Sequence, residues 1–329
     1  MCVNKTHNPC LSIVIPVFNR EKEISRAIHS CLMQNFDDFE VVIVDDGSTD
    51  GTVKVITSFT DSRIILIKHD LNKGVCSARN TGIEHARGDW IVLLDSDDEL
   101  IPGALATIGK RVQEVSQSIE RLAFRYLRDD GTLLPDTLPE TKVLDYKAYI
   151  QWVSKVTQSD FSNCIRKRAF LMVKFPDNRS FESIFHFNFA SMFQTEIFED
   201  IVAIVHTDAI NRGNNLSIKE LVEKIIETAR DEAVSYDLII ETHGDALKEW
   251  AGELFKQLAR NRFILHFLAS NWRSGIYHAA RYVKVNPLSI SGWGGFVLGL
   301  MGKWVLAIVL AVKRRANDKI HLLGIRNYD

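Results

Sequence analysis

The sequence predicts an α/β protein: a Rossmann-like, mostly parallel sheet with helices on both faces, followed by a C-terminal helical region. Uninterrupted apolar runs of strand length alternate with helix-period segments over the first hundred residues. Strands apolar on both sides belong to sheets covered on both faces, and these are characteristically parallel. From Ser217 onward the apolar spacing turns helical and strand signals cease.

Residues 11–18 (Leu-Ser-Ile-Val-Ile-Pro-Val-Phe) read as the first buried strand. Ile24, Ala27, Ile28, Cys31 and Leu32 then recur at the i, i+3, i+4, i+7, i+8 spacing of one helix face. Phe39 to Val44 forms a second strand, broken by Asp45-Asp46-Gly47-Ser48-Thr49-Asp50-Gly51, and Arg63 to Lys68 a third. A helix over 75–86 stops at Arg87-Gly88, glycine serving as the terminator, and Trp90 to Leu94 is the fourth strand. In the middle, 122–127 reads as a strand, 129–131 as a turn and 146–153 as a helix. The aromatic stretch 175–193 fits either core or an acceptor platform. Leu221, Ile225, Ile226, Leu247, Leu254 and Leu258 mark the helical region, and an Asn286-Pro287 break precedes an apolar tail. The divisions are thus an N-terminal tail 1–9, an α/β domain 10–215, a helical extension 216–287 and an apolar helical tail 288–329.

Composition narrows the function. The 329 residues are 46% hydrophobic and 25% charged, enough for one large domain and an appendage. A net charge of −2 gives no basic field for nucleic acid. The five cysteines are scattered with no CxxC, which argues against a zinc site or disulfide framework and fits a reducing cytoplasm. The apolar run 11–18 is too short for a signal peptide and leads directly into folded-type sequence.

The most informative segment is 89–100, where an apolar strand runs into Asp95, Asp97, Asp98 and Glu99. Four acids at the end of a core strand are electrostatically costly without compensating positive charge. Oxygen ligands select hard cations, and Mg²⁺ commonly uses one or two carboxylates plus substrate phosphates. One reading is therefore a metal-diphosphate site; the other is an acidic turn before a helix start. Ligands of open α/β sheets bind outside the strand C-termini. There the first, second and fourth strands deliver Pro16-Val17-Phe18-Asn19-Arg20, Asp45-Asp46-Gly47-Ser48 and Asp95-Ser96-Asp97-Asp98, joined by Asn72-Lys73-Gly74 through Arg79-Asn80-Thr81-Gly82.

With these four fragments in order, the chain resembles glycosyltransferase family 2, inverting nucleotide-sugar transferases of GT-A fold. The resemblance is strong over about 10–105, weak over 106–215 and only general beyond. It implies that Asp46 contacts the nucleotide base and that Pro16, Phe18 and Asn19 wall the base and ribose. Arg79 would reach the diphosphate, a suitable partner for a planar forked cation. Gly74 would let backbone approach the donor. Asp97 falls to the ribose side and Asp98 to the metal, Mn²⁺ or Mg²⁺, with a UDP-sugar as donor. His206, Asp208 and Arg212 lie in a segment resembling the family's last core loop, giving Arg212 a phosphate contact. Inversion needs a carboxylate to take the acceptor's proton. The matching place is Phe181-Glu182-Ser183-Ile184-Phe185, where serine replaces the family's expected Asp. Glu182 is the candidate base; the alternatives are Asp177, Asp200 or an impaired catalyst.

The tail, 290–312, has the length of a membrane span. Its eleven Leu, Ile, Val and Phe residues offer roughly −5 kcal/mol of insertion free energy, against about +3 for Lys303, and five glycines erode the rest. A break at Gly302-Lys303 predicts two short helices lying on a membrane surface, anchored by Trp293, Trp304 and Lys313-Arg314-Arg315. A buried helix pair, a contact between two copies of the chain, and a true span are the other readings. The expected activity is inverting sugar transfer to a growing, lipid-linked surface glycan at the cytoplasmic face of a bacterial membrane. A nucleotidyltransferase would need a Gly-rich basic loop that 15–25 lacks, and a non-catalytic nucleotide-sugar-binding subunit is the other rival.

Overall fold

The computed structural model describes residues 8–156, 159–176, 182–206 and 217–316. Among these residues it forms two compact units, the first made of 8–156, 159–176 and 188–206 and the second of 182–187 and 217–316.

The first unit opens with β1 (Leu11–Val17), α1 (Ile24–Leu32), β2 (Phe39–Asp45), α2 (Thr52–Thr57), β3 (Ile64–Lys68), α3 (Val75–His85) and β4 (Trp90–Leu93). It continues with β5 (Glu99–Leu100), α4 (Ala104–Glu114), β6 (Ile119–Arg128), β7 (Leu133–Leu134), β8 (Val143–Leu144), α5 (Tyr146–Val153) and β9 (Ser162–Arg166). After α6 (Ser183–Met192), which straddles the two units, it closes with β10 (Gln194–Val205). The strand order is β3-β2-β1-β4-β9-β6-β10-β5. The first four strands are parallel to one another, as their apolar runs predict. The sheet as a whole is mixed, because β9 inserts antiparallel between β4 and β6. The inserted strand reads Ser-Asn-Cys-Ile-Arg, with no apolar run, so the insertion left no mark in the pattern.

The first strand is buried along its whole length and central, flanked by β2 and β4. A proline there is normally excluded, since it cannot donate to the ladder. Val14 O accepts from Leu94 N and Val17 O from Asp46 N, so even-numbered residues of β1 face β4 and odd-numbered ones face β2. Pairing with β4 ends at Val14, so the N–H that Pro16 lacks would have found no partner strand.

At the opposite end of the same strands a polar seam ties β1 and β2 to the turn that enters β4. Ser12 Oγ donates to Glu40 Oε1 at 2.7 Å, and Gly88 N donates to Ser12 Oγ at 2.8 Å. Arg87 binds Glu40 through its backbone N–H and through Nε at 2.7 Å. Burial alone would raise the Glu40 carboxyl, but the Ser12 and Arg87 hydrogen bonds hold it below its ordinary value. A depressed carboxylate contributes stability above its unfolded pKa, about 4.3, and loses it as pH falls through the lower folded value. Glu40→Gln is therefore expected to cost about 1–3 kcal/mol at neutral pH. Thermal unfolding of the two proteins on acidification should show that gap closing; a gap independent of pH would refute the role.

In the aromatic stretch that sequence left ambiguous, α6 buries Phe185 and Phe189 completely, so both are core. The second unit is helical: α7 (Ile218–Trp250), α8 (Gly252–Leu268), α9 (Trp272–Val285), α10 (Ile290–Leu300) and α11 (Lys303–Ala316). Ser217 caps α7 in a reciprocal box with Glu220, which starts the helix where the apolar spacing changes. The core joins Leu221, Ile225, Phe263, Phe267, Tyr282, Leu306 and Leu310. Residues 182–187, which sequence reading kept in the α/β domain, belong to this unit, where the Phe187 ring lies 5.6 Å from that of His243.

The tail forms two helices broken at Gly302, whose φ is +111°. Among the described residues no helix is long and apolar enough to cross a membrane. Three of the tail's glycines have a packing role: a Cβ at Gly292, Gly295 or Gly299 would press on Tyr282, Ile264 or Phe267. The other side of the pair exposes Ile290, Trp293, Met301, Trp304 and Val312.

Candidate functional site

The strand order places a topological switch point at β1, because the chain leaves β1 toward β2 on one side and later returns to β4 on the other. Ligand crevices of open α/β sheets form there, outside the strand C-termini. The loops after β1, β2 and β4 meet at this rim.

The first two loops are stitched together. Asn19 adopts φ +51°, a left-handed conformation that Asn tolerates. Its Oδ1 accepts from Thr49 N at 2.8 Å, and its own N–H donates to Ser48 Oγ at 2.9 Å. Arg20 N donates to Thr52 Oγ1 at 2.8 Å. The Asn19 side chain thus fixes loop geometry. Pro16 lies buried within β1, and Phe18, 40% exposed, is the predicted wall residue that presents a ring to solvent.

Asp46 is 2% exposed and organises the approach to α3. Its Oδ1 accepts from Lys73 N at 2.9 Å and meets His69 Nδ1 at 2.7 Å; its Oδ2 accepts from Gly74 N at 2.7 Å. His69 Nε2 continues to Thr81 Oγ1 at 2.9 Å, so one chain of polar contacts runs from the end of β2 to the middle of α3. A carboxylate has about four acceptor positions, so one remains after these three contacts. Gly74 holds φ +95°, which a side chain would strain by about 1–3 kcal/mol. Further along α3, a Cβ at Gly82 would come within 2.5 Å of Val14 Cγ1, so this glycine lets the helix lie close on β1.

That seating aims Arg79 at the loop after β4. The guanidinium is 6% exposed, donates Nη2 to Asp95 Oδ1 at 2.6 Å, and lies 5.6 Å from the Phe175 ring centroid. Asp98 N closes the turn onto Asp95 O at 3.1 Å. The carbonyl of Asp97 accepts from Arg26 of α1. Asp98 is 7% exposed, and its Oδ1 accepts from His206 N at 3.1 Å, while His206 Nε2 lies 3.1 Å from Glu99 Oε1. The short antiparallel pairing of β5 with the end of β10 brings His206 there.

The cost of clustering acids is therefore met residue by residue: Asp95 by Arg79, Asp98 by a backbone N–H and Glu99 by His206. Among the described residues these carboxylates do not bring three ligand atoms together. The side-chain donors at Asp95, Asp97 and Asp98 are all carboxylate oxygens, the chemistry that a hard divalent ion prefers. Asp97 is 8% exposed and Asp95 half-exposed.

Two kinds of predicted residue stand apart. Asp177, Phe181, Asp208 and Arg212 lie outside the described residues. Glu182 is in the second unit, immediately before α6, with Oε2 3.9 Å from His186 Nε2. Asp200, an alternative base, is held by Arg111 at 2.9 Å. Sequence reading missed His69 and the Asp98–His206 bond. His69 carried only its position one residue past β3, and the His206 bond spans 108 residues of chain.

Residues 12–141 match the family described as Glycosyl transferase family 2. A UDP-Glc:alpha-D-GlcNAc-diphosphoundecaprenol beta-1,3-glucosyltransferase of Escherichia coli is 41% identical over 95 residues, 29% of this chain and 38% of that protein. This chain spans less than half the length of this and other curated relatives that it matches. In fold it is similar to S. aureus TarS 1–349 in complex with UDP-GlcNAc, with a TM-score of 0.56 and 17% identity over 85% of this chain and 93% of that one. It is likewise similar to the mannosyltransferase PcManGT of Pyrobaculum calidifontis in complex with GDP-Man and Mn²⁺, with a TM-score of 0.52 and 17% identity over 96% and 89%.

Proposed function

We propose that this chain, whose residues 12–141 match the family described as Glycosyl transferase family 2, transfers a sugar from a nucleoside diphosphate donor to a glycan acceptor with inversion at the anomeric carbon. One observation carries this reading: α3 delivers Arg79 to the Asp95–Asp98 turn at the sheet's switch point, so a cation and a ring of carboxylates share one rim. Phe18 and the remaining acceptor capacity of Asp46 suit the base, while Arg79 suits the diphosphate. Asp98 would hold a divalent ion, Mn²⁺ or Mg²⁺, which supplies neutralisation of the leaving diphosphate.

In the transfer, the acceptor hydroxyl oxygen forms the new bond to the anomeric carbon as the sugar–phosphate bond breaks. The proton passes to a carboxylate, and the electron pair leaves with the diphosphate. Glu182 is the residue we assign as that base, from its place in the sequence and its carboxylate chemistry.

A relative whose name specifies a UDP-sugar donor and a diphosphoundecaprenol acceptor, and a fold neighbour bound to UDP-GlcNAc, support UDP as the nucleotide and a lipid-linked glycan as the acceptor. The exposed apolar side of α10 and α11, followed by Lys313-Arg314-Arg315, suits peripheral attachment to an anionic lipid surface at the cytoplasmic face.

Thermal unfolding with a panel of nucleoside diphosphates, each with and without Mn²⁺, tests the donor assignment. A ligand at a hundred times its Kd stabilises by about 2.7 kcal/mol. UDP with Mn²⁺ should give the largest rise in midpoint. No shift with any nucleotide, and no release of UDP from UDP-sugars, would remove the proposal.

A further inference from the structure

A second cluster with ligand chemistry lies wholly within the helical unit, where the transfer reaction has no use for it. Asp237 of α7, His266 of α8 and His278 of α9 converge on one point. Asp237 Oδ1 lies 3.1 Å from His266 Nε2 and 4.0 Å from His278 Nε2, and the three ligand atoms all lie within 4.8 Å of one another. The two imidazoles are stacked, with centroids 5.2 Å apart and planes 24° from parallel. His266 is 6% exposed.

We propose that Asp237, His266 and His278 form a Zn²⁺ site that clips α7, α8 and α9 together. A tetrahedral zinc ion with bonds of about 2.0–2.2 Å sets its ligand atoms roughly 3.4 Å apart, so the observed separations need only small side-chain adjustments. Two imidazoles with one carboxylate select a borderline d-block ion over Mg²⁺ or Ca²⁺, which prefer oxygen. This distinguishes the site from the all-oxygen rim of the first unit. The three ligands leave a fourth position for water.

Arg262 is the competing cation. Its Nε binds the same Asp237 oxygen, while its Nη2 already reaches Glu241 Oε1 at 3.0 Å. Zinc entry requires the guanidinium to withdraw from Asp237 and remain on Glu241, a partner one turn further along α7. The absence of paired cysteines, which argued against zinc from sequence, has no bearing on a site assembled from three helices.

The test is calorimetric titration of Zn²⁺ into the metal-stripped full-length chain, with metal content measured after desalting. One Zn²⁺ per chain is expected at this site, with a raised thermal midpoint. His278→Gln, at a partly exposed position, should weaken binding at least tenfold, and Arg262→Gln should tighten it severalfold. Asp98→Asn should leave this binding unchanged, which separates the site from the donor rim. If neither the native chain nor Arg262→Gln binds Zn²⁺, or if His278→Gln and His266→Gln both bind as the native chain does, the assignment is overturned. Either result leaves the glycosyltransferase reading standing, because that rests on other residues.

Discussion

Replacing Asp98 by Asn should lower metal-dependent sugar transfer by about 100- to 1,000-fold, with the fold intact. A metal opposite a leaving diphosphate contributes several kcal/mol, and each ~1.4 kcal/mol is tenfold in rate. Asparagine is the informative replacement because its amide oxygen can still accept from His206 N, the bond that fixes this residue to the end of β10. The turn should persist, shown by an unchanged unfolding midpoint without nucleotide. The loss should then appear as a vanished Mn²⁺-dependent midpoint shift with UDP, together with the fall in rate. Transfer at the native rate by Asp98→Asn would show that this carboxylate does not serve the leaving group.

Glu182→Gln should lower turnover by about 100- to 10,000-fold, the range that general-base catalysis contributes, while leaving UDP affinity unchanged. The substitution keeps shape and hydrogen-bonding capacity beside His186, so loss of the proton acceptor is the main change. The combination of low turnover with native nucleotide binding is what separates a base from a binding residue. Asp200 is a poor substitute, since Arg111 holds its carboxylate. Undiminished turnover by Glu182→Gln would rule that glutamate out as the base. Loss of nucleotide affinity in the same variant would also go against the role.

Burial on both faces made the first part of the fold legible: β1, β2, β3 and β4, with α1 and α3, lie where the sequence puts them, whereas the six-residue α2 is too short to show a helix spacing. The antiparallel insertion of β9 was hidden because its sequence, Ser-Asn-Cys-Ile-Arg, holds no apolar run. At the site, the carboxylates were visible as residue types at strand ends and Arg79 as a cation on the helix that follows β3. Their partners were not, because Arg79 with Asp95 and Asp98 with His206 are joined by folding, not by spacing. His69 shows the same limit: one histidine after a strand is unremarkable until Asp46 and Thr81 are found on its two nitrogens. The helical unit was legible only as a class, since spacing identifies apolar faces without saying which helices pair.

The Ser12–Glu40–Arg87–Gly88 seam lies at the start of strands whose opposite ends carry the loops of the candidate site. From Ser12 to Val17, β1 covers about 16 Å at strand rise. Changes that far apart with no shared partner combine without interference. Each end can consequently be altered and its effect on stability scored without reference to the other.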